Sequence, residues 1–418
     1  ENATLTLTGA STSYTGVYNG AVTNNGTISV VNGIHKFAGP AVGDFNISVT
    51  GGSFYFAKGF TGEHINLTTA SVGVYVADGT KFDTMDVSNG FFSFRTDSLV
   101  GPEFNAVNLE SVSTSFDILP QANGIVDVKG PVNVNKTGGT MYVYGPNNTA
   151  EHGMALELHG FVSEARVGID SNRAGTLELK PGSDIKFNLL RIGHNNSSPS
   201  AGRVIVDPGA KLVAETLYLG EWSGTPNSAQ THKLNVGGEL EVMNKQIYVA
   251  YDAPRTEMTI FGDGVVRTKG LQIRNNNAYG SGMGAGDGHH VFRLEGGRLE
   301  MGDVGFQCEN RPIPGVSRFD IQNGVVSNTA AYGISCGTHM FFGYDKLGGH
   351  VTYDLGEFLV NWHTAIAGAS DVTFKGAANF QGSRYEDRAQ GAMLGKVTVE
   401  SGGALEIESG VTLCCTDA

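Results

Sequence analysis

The chain has 418 residues, 60 of them glycine, with 40 % apolar residues and a formal net charge of −13. The glycines keep no period of three, which excludes collagen, and the apolar share excludes a disordered low-complexity chain. The acidic balance argues against a nucleic-acid partner, which would call for a basic stripe, and no apolar run is long enough for membrane insertion as a helix.

The first phrase, Thr4-Leu5-Thr6-Leu7-Thr8, alternates like a strand. No signal peptide stands ahead of it, and a processed start and a boundary inside a longer chain are both compatible with that. From there a single pattern returns: an apolar-x-apolar triplet, a turn, then a second alternating run. Ile28-Ser29-Val30, Ile47-Ser48-Val49, Val126-Asp127-Val128, Leu177-Glu178-Leu179, Leu234-Asn235-Val236, Phe319-Asp320-Ile321 and Val397-Thr398-Val399 are examples. Marking each copy by its last apolar residue, from Val30 to Val399, gives a mean repeat of about 25 residues. So short a unit cannot bury its own apolar face, so copies must stack.

Up to Val128 the copies are slim, and beyond it they widen, with corner loops such as Asn275 to His290. No linker separates the two parts, which predicts one continuous solenoid over 1–418, slim to about residue 130 and fatter from about 131. The coil from Arg203 shows three runs: Arg203-Val204-Ile205-Val206, Lys211-Leu212-Val213-Ala214 and Thr216-Leu217-Tyr218-Leu219. Three strands of period two make a triangular all-β prism, with every second side chain stacked inside on its copy in the next coil. Coil-to-coil pairing is parallel. Val128, Leu158, Leu179, Val206, Val236, Ile260 and Leu294 are expected to form one such column.

The phrase from Val397 through Gly402-Gly403-Ala404-Leu405-Glu406-Ile407 resembles the right-handed parallel β-helix of bacterial autotransporter passengers and related repeats of large secreted surface proteins. The likeness covers nearly the whole chain but carries no catalytic motif. It implies export, display at the cell surface, and an adhesive or scaffolding role, while the marked copies themselves number about sixteen coils. The chain departs from that pattern in lacking a C-terminal membrane barrel and in carrying four cysteines.

Cys308 and Cys336 sit in the same phrase 28 residues apart. Stacked residues of adjacent coils lie about 5 Å apart at Cα, inside the disulfide window. In an exported protein that pair would oxidise; two unbonded stacked thiols are the alternative. Cys414-Cys415 could form a strained ring, cross-link to another chain or stay free.

The outward residue of each triplet forms a ladder running Ser29, Ser48, Asn66, Asp86, Asn108, Asp127, Glu157, Glu178. Asp127, Glu157 and Glu178 would then be three carboxylates in a row, spaced about 5 Å between neighbours. Such separations overlap those of glycosidases, and stacked carboxylates attract Ca²⁺; a solvated acidic stripe is the plainer reading. No other cofactor is implied.

Trp222 and Tyr251, after the third strand of neighbouring coils, could form an aromatic platform for a glycan or could cap their own corners. The Gly286 to His290 segment could hold a metal, or be an ordinary polar loop. Asp252, Arg255 and Glu257 are similar to the acid-plus-arginine chemistry of β-helical polysaccharide lyases, without a lyase motif around them. Eight N-x-[ST] sequons, at Asn2, Asn25, Asn46, Asn66, Asn135, Asn147, Asn195 and Asn196, would be glycan acceptors in a eukaryotic secretory protein. In a bacterial repeat rich in Asn and Thr, chance also supplies them.

No nucleophile-base phrase, P-loop or dinucleotide fingerprint appears. The expectation is a non-catalytic, extracellular structural or adhesive rod, joining end to end or binding a surface or matrix glycan or protein. The competing expectations are a lyase, glycosidase or tailspike-like enzyme, and a glycan-binding module.

Overall fold

The computed structural model describes residues 4–9, 15–23, 26–69, 73–110, 116–147, 150–168, 173–193, 201–221, 231–242, 244–251, 255–274, 289–309, 317–321 and 323–328, and beyond them the strand segments 334–335, 339–342, 350–361, 365–366, 371–380, 391–394, 397–399, 404–407 and 412–415. Every regular element among them is a β-strand, and the strands pair in parallel. The protein is an all-β parallel β-helix. Among the described residues no helix is long and apolar enough to cross a membrane. The chain divides into two compact units, residues 1–190 with 210–212, and residues 191–209 with 213–418.

In unit 1 the strands fall into three sheets. The first begins with Thr4–Leu7, Thr27–Val30 and Asp44–Val49, and the row Ile28, Ile47, Leu67, Val87, Leu109, Val134 runs up its inner side. The second stacks Thr15–Tyr18, Ile34–Phe37, Ser53–Phe56, Gly73–Val76, Phe91–Thr96 and Phe116–Pro120. Its inner row is Tyr18, Phe37, Phe56, Val76, Phe94, Ile118, Val143. The third includes the row Val126, Met154, Leu177. The 20-residue strand Gly124–Val143 and the 16-residue strand His152–Val167 each contribute to all three sheets.

Alternation explains the interior. In Thr27–Val30, Ile34–Phe37 and Ser53–Phe56 every second residue is buried. The core of unit 1 sets a cluster of phenylalanines among its aliphatic rows: Phe45, Phe54, Phe56, Phe60 and Phe94 have no solvent exposure. Phe37 stacks on Phe54 at 4.9 Å, and Phe54 meets Phe56 edge to face. Burying each ring stabilises the fold by about 1.5–3 kcal/mol before entropy is counted. The corners need glycine where two turns lie on one another. Gly33 and Gly52 have φ of 86° and 77°, and a Cβ on Gly52 would collide with the Gly33 carbonyl below it.

Unit 2 has the same three-sheet order, and its core is mainly aliphatic among the residues whose side chains are described. One sheet carries the register Val206, Val236, Ile260, Leu294, Ile321, Phe342. A second carries Leu240, Val266, Leu299, Val326, Tyr353, Phe374, Val399. A third carries Leu271, Phe306, Ile334, Val360, Phe380, Ile407.

The register corrects the expected column. Val206, Val236, Ile260 and Leu294 do stack, but Leu158 opposes Val132 on the first sheet of unit 1. Leu179 opposes Leu156 on the third. Further on, Ile321 opposes Phe342, whereas Tyr353 belongs with Val326. All three faces use the same apolar-x-apolar phrase, so the phrase alone does not say which face it occupies.

Candidate functional site

The register also separates the three carboxylates. Asp127 opposes Ala155, which opposes Glu178, while Glu157 opposes Pro131 on another sheet. The expected unbroken row is not formed. Asp127 instead takes a 2.6 Å contact from Lys180 Nζ, and Glu157 Oε1 lies 2.9 Å from His159 Nε2.

The row that does form lies on the outer side of the first sheet of unit 1. Asn46, Asn66, Asp86, Asn108, Asn133 and His159 oppose one another in successive coils. Asn66 Nδ2 donates to Asn46 Oδ1 at 3.0 Å. Asn108 Nδ2 donates to Asp86 Oδ1 at 2.7 Å, and Asn133 Nδ2 to Asn108 Oδ1 at 2.8 Å. Carboxamides suit this place because each both donates and accepts, so identical residues bond without repulsion. Two residues further along the same strands runs a second row: Ser48, Thr68, Ser88, Glu110, Asn135 and Phe161. Between the rows lies a groove of about 270 Å³ lined by Asp86, Asn108, Glu110, Asn133, Asn135 and His159, with Leu109, Val134 and Gly160 also lining it. At Gly160, φ is 100° and a Cβ would collide with the Val134 carbonyl.

The outer side of the second sheet carries an aromatic ladder. Lys36, Tyr55, Tyr75, Ser93, Asp117 and Tyr142 oppose one another. Tyr55 and Tyr75 stack at 4.4 Å and 20°. Lys36 caps one ring and Arg95 the other, at 5.3 and 5.9 Å. Arg166 lies over Tyr142 and Arg173 over Tyr144. The ring faces are therefore covered by neighbours and cations rather than left open.

Within this ladder Ser93 and Asp117 are buried, and the Ser93 hydroxyl and Asp117 Oδ1 have no hydrogen-bond partner within the protein. Burial pushes the Asp117 carboxyl up to about 7, against a backbone hydrogen bond from Tyr142 and the charge of Lys136. Lys136 has no exposed surface, and burial lowers its ammonium to about 8.

In unit 2 some outer rows are ionic, while on another Tyr218 stacks on Tyr248 at 5.2 Å and Gln246 Nε2 donates to Gln272 Oε1 at 2.6 Å. Glu257 Oε2 is 3.1 Å from Lys233 and 3.7 Å from Arg293. Arg267 bridges Glu239 at 3.4 Å and Glu300 at 3.0 Å, and Arg298 joins Glu300 at 3.0 Å. His232 is fully buried and held near a pKa of 4 by that burial. Its Nδ1 accepts from the Gly202 N–H at 3.3 Å, and a Cβ on Gly193 would collide with its ring.

His290, taken in sequence as part of a loop, lies in the strand His289–Leu294. It is buried, with Nδ1 3.0 Å from Thr256 Oγ1. Among the described residues no three His, Cys, Asp or Glu are placed together to hold a metal ion. Trp222 and Cys336 lie outside the described residues, as do the Tyr251 and Cys308 side chains; Asp252 and residues 286–288 do too. The backbone register next to the cysteines, Gln307 opposite Ser335, carries the 28-residue offset read from sequence. Of the sequons, Asn46 and Asn66 are bonded into the amide row and Asn135 is exposed.

Alternation marks the outward positions, but it does not tell which face they share, so the amide row beyond Asn108 and the tyrosine ladder emerge only from the register. The recurrent triplets Ile65-Asn66-Leu67, Val107-Asn108-Leu109 and Val132-Asn133-Val134 were the available signal. No protein-family model, curated protein or solved structure matches the chain.

Proposed function

We propose that this chain is a non-catalytic structural and adhesive β-helix of a secreted or surface-displayed protein. Its class of use is that of the autotransporter-like surface repeats whose phrase it resembles. The carrying observation is that many of its described outward side chains are engaged with the next coil. Amides bond to amides and to Asp86, tyrosine faces are capped by cations, and carboxylates are bridged by arginine and lysine. A catalytic centre gathers unlike groups around a reacting atom and breaks local regularity. The rows here instead extend that regularity. Its partners are a surface or matrix glycan or protein, or further copies of the chain along the axis.

The test is incubation with neutral and acidic polysaccharides, measuring new reducing ends and unsaturated products, alongside electron microscopy of the purified protein. Rods without turnover are the expected result. Turnover abolished by Glu157→Gln or Glu178→Gln would overturn the reading.

A further inference from the structure

We propose that the groove on the first sheet of unit 1 binds an extended, uncharged polysaccharide laid along the coil axis, about one sugar to a coil. The inference deepens the adhesive reading and rests on it for the absence of turnover. Three observations carry it.

The groove crosses the four strands that hold Asp86, Asn108, Asn133 and His159. Its polar groups therefore recur at the coil rise, about 4.8 Å. That interval is comparable with the repeat of an extended pyranose chain, so a bound polymer would meet equivalent groups at each sugar. Each ladder amide has two N–H donors and two acceptor lone pairs. Bonding along the row uses one donor and one lone pair on Asn108, which leaves the other pair to face hydroxyls.

Phe161 stands at the end of the second row, opposite Asn135, and is part-exposed. The tyrosines of the second sheet spend their faces on one another and on cations, whereas Phe161 stacks on no other ring among the described residues. A free aromatic face beside polar groups is what the C–H face of a sugar needs.

Charge sets the class of sugar. Asp86 and Glu110 line the groove, and no lysine or arginine is among the described residues that do. A uronate or sulfated chain would meet like charge there, which costs affinity and slows association.

The test is isothermal titration of the full chain with cellohexaose and N-acetylchitohexaose as neutral probes and oligogalacturonate as the anionic one. Binding of a neutral probe is expected, with oligogalacturonate excluded. Phe161→Ala should weaken it about tenfold, and Asn135→Leu by a similar factor. Glu110→Lys should admit oligogalacturonate. Phe161, Asn135 and Glu110 all reach solvent, and circular dichroism checks that each variant keeps its strands.

Failure of both neutral probes to bind would sink the proposal. So would preference for oligogalacturonate, or neutral binding that ignores both Phe161→Ala and Asn135→Leu. Reducing ends are assayed in the same samples. Their appearance would count against the non-catalytic reading, while the titrations alone decide the ligand and its place.

Discussion

The two units solve one problem with different chemistry. Each must hold outward side chains in register from coil to coil. In unit 1 the first sheet does so chiefly with amides, Asp86 accepting from one of them, and the second with stacked tyrosines. In unit 2 the outer rows rely on ion pairs such as Glu239–Arg267–Glu300 and Lys233–Glu257–Arg293. The division is one of emphasis: Glu103 of unit 1 bridges Lys81 and Lys129, and in unit 2 Tyr218 stacks on Tyr248 and Gln246 bonds to Gln272. Inside, unit 1 adds a cluster of phenylalanines to its aliphatic rows, whereas the described core of unit 2 is mainly leucine, valine and isoleucine. Identical stacked residues are tolerated when neutral, whereas charged ones must alternate in sign, so an amide row can repeat one residue and an ionic row cannot.

The largest effect should come from the aromatic core. Phe94 touches Phe92, Phe104 and Phe116, and Phe94→Ala should cost about 3–5 kcal/mol. Hydrogen exchange should show the loss in the strands of unit 1. A cost below about 1 kcal/mol would mean that these rings are not the packing element they resemble.

Acid should move the two units in opposite directions. Folded His232 has a pKa near 4 against 6.5 for the free group. The unfolded chain therefore takes the proton first, and this site loses about 3 kcal/mol as pH falls from 6.5 to 4. Folded Asp117 titrates near 7 against 3.8. Here the folded chain holds the proton first, so the site gains stability over the fall from 7 to 4, on the order of 4 kcal/mol at most. Denaturation midpoints across this range, for wild type against His232→Asn and Asp117→Asn, isolate the two terms. Differences of the same sign for both variants would break the contrast.

Cutting the amide row should cost less. Asn108→Leu removes two hydrogen bonds and should lower stability by about 1–2 kcal/mol, with little dependence on salt. The smallest effect belongs to the ionic rows. The Arg267 side chain is 44 % exposed, so Arg267→Met should cost at most about 1 kcal/mol, fading near 1 M salt. A salt-sensitive Asn108→Leu paired with a salt-insensitive Arg267→Met would reverse the comparison.

Strand alternation, parallel stacking and three faces to a coil were legible because period two and glycine-bearing corners are local properties. Face identity was not. The step from Leu109 leads to Val134 and not to Val128, because Val126-Asp127-Val128 is the same phrase on a different sheet. That one slip carried the outward ladder from Asn108 to Asp127 and created a carboxylate row where the protein has an amide row. Buried polar groups such as Lys136 and Asp117 were equally hidden. Nothing in the residue type of Lys136 marks it as buried, and only the fold turns it inward.

The amide row bears on how such a chain can change length. Asn108 accepts from Asn133 and donates to Asp86 through the same small group, so both ends of that coil present compatible joints. A duplicated segment carrying Val132-Asn133-Val134 would meet an asparagine below and could offer one above, with no compensating substitution at either seam. An ionic rung lacks this freedom, because copying Arg267 once would set arginine on arginine. Growth and shrinkage by whole coils are therefore tolerated more readily along the amide face, and tandem duplication in this molecule has its least costly insertion point there.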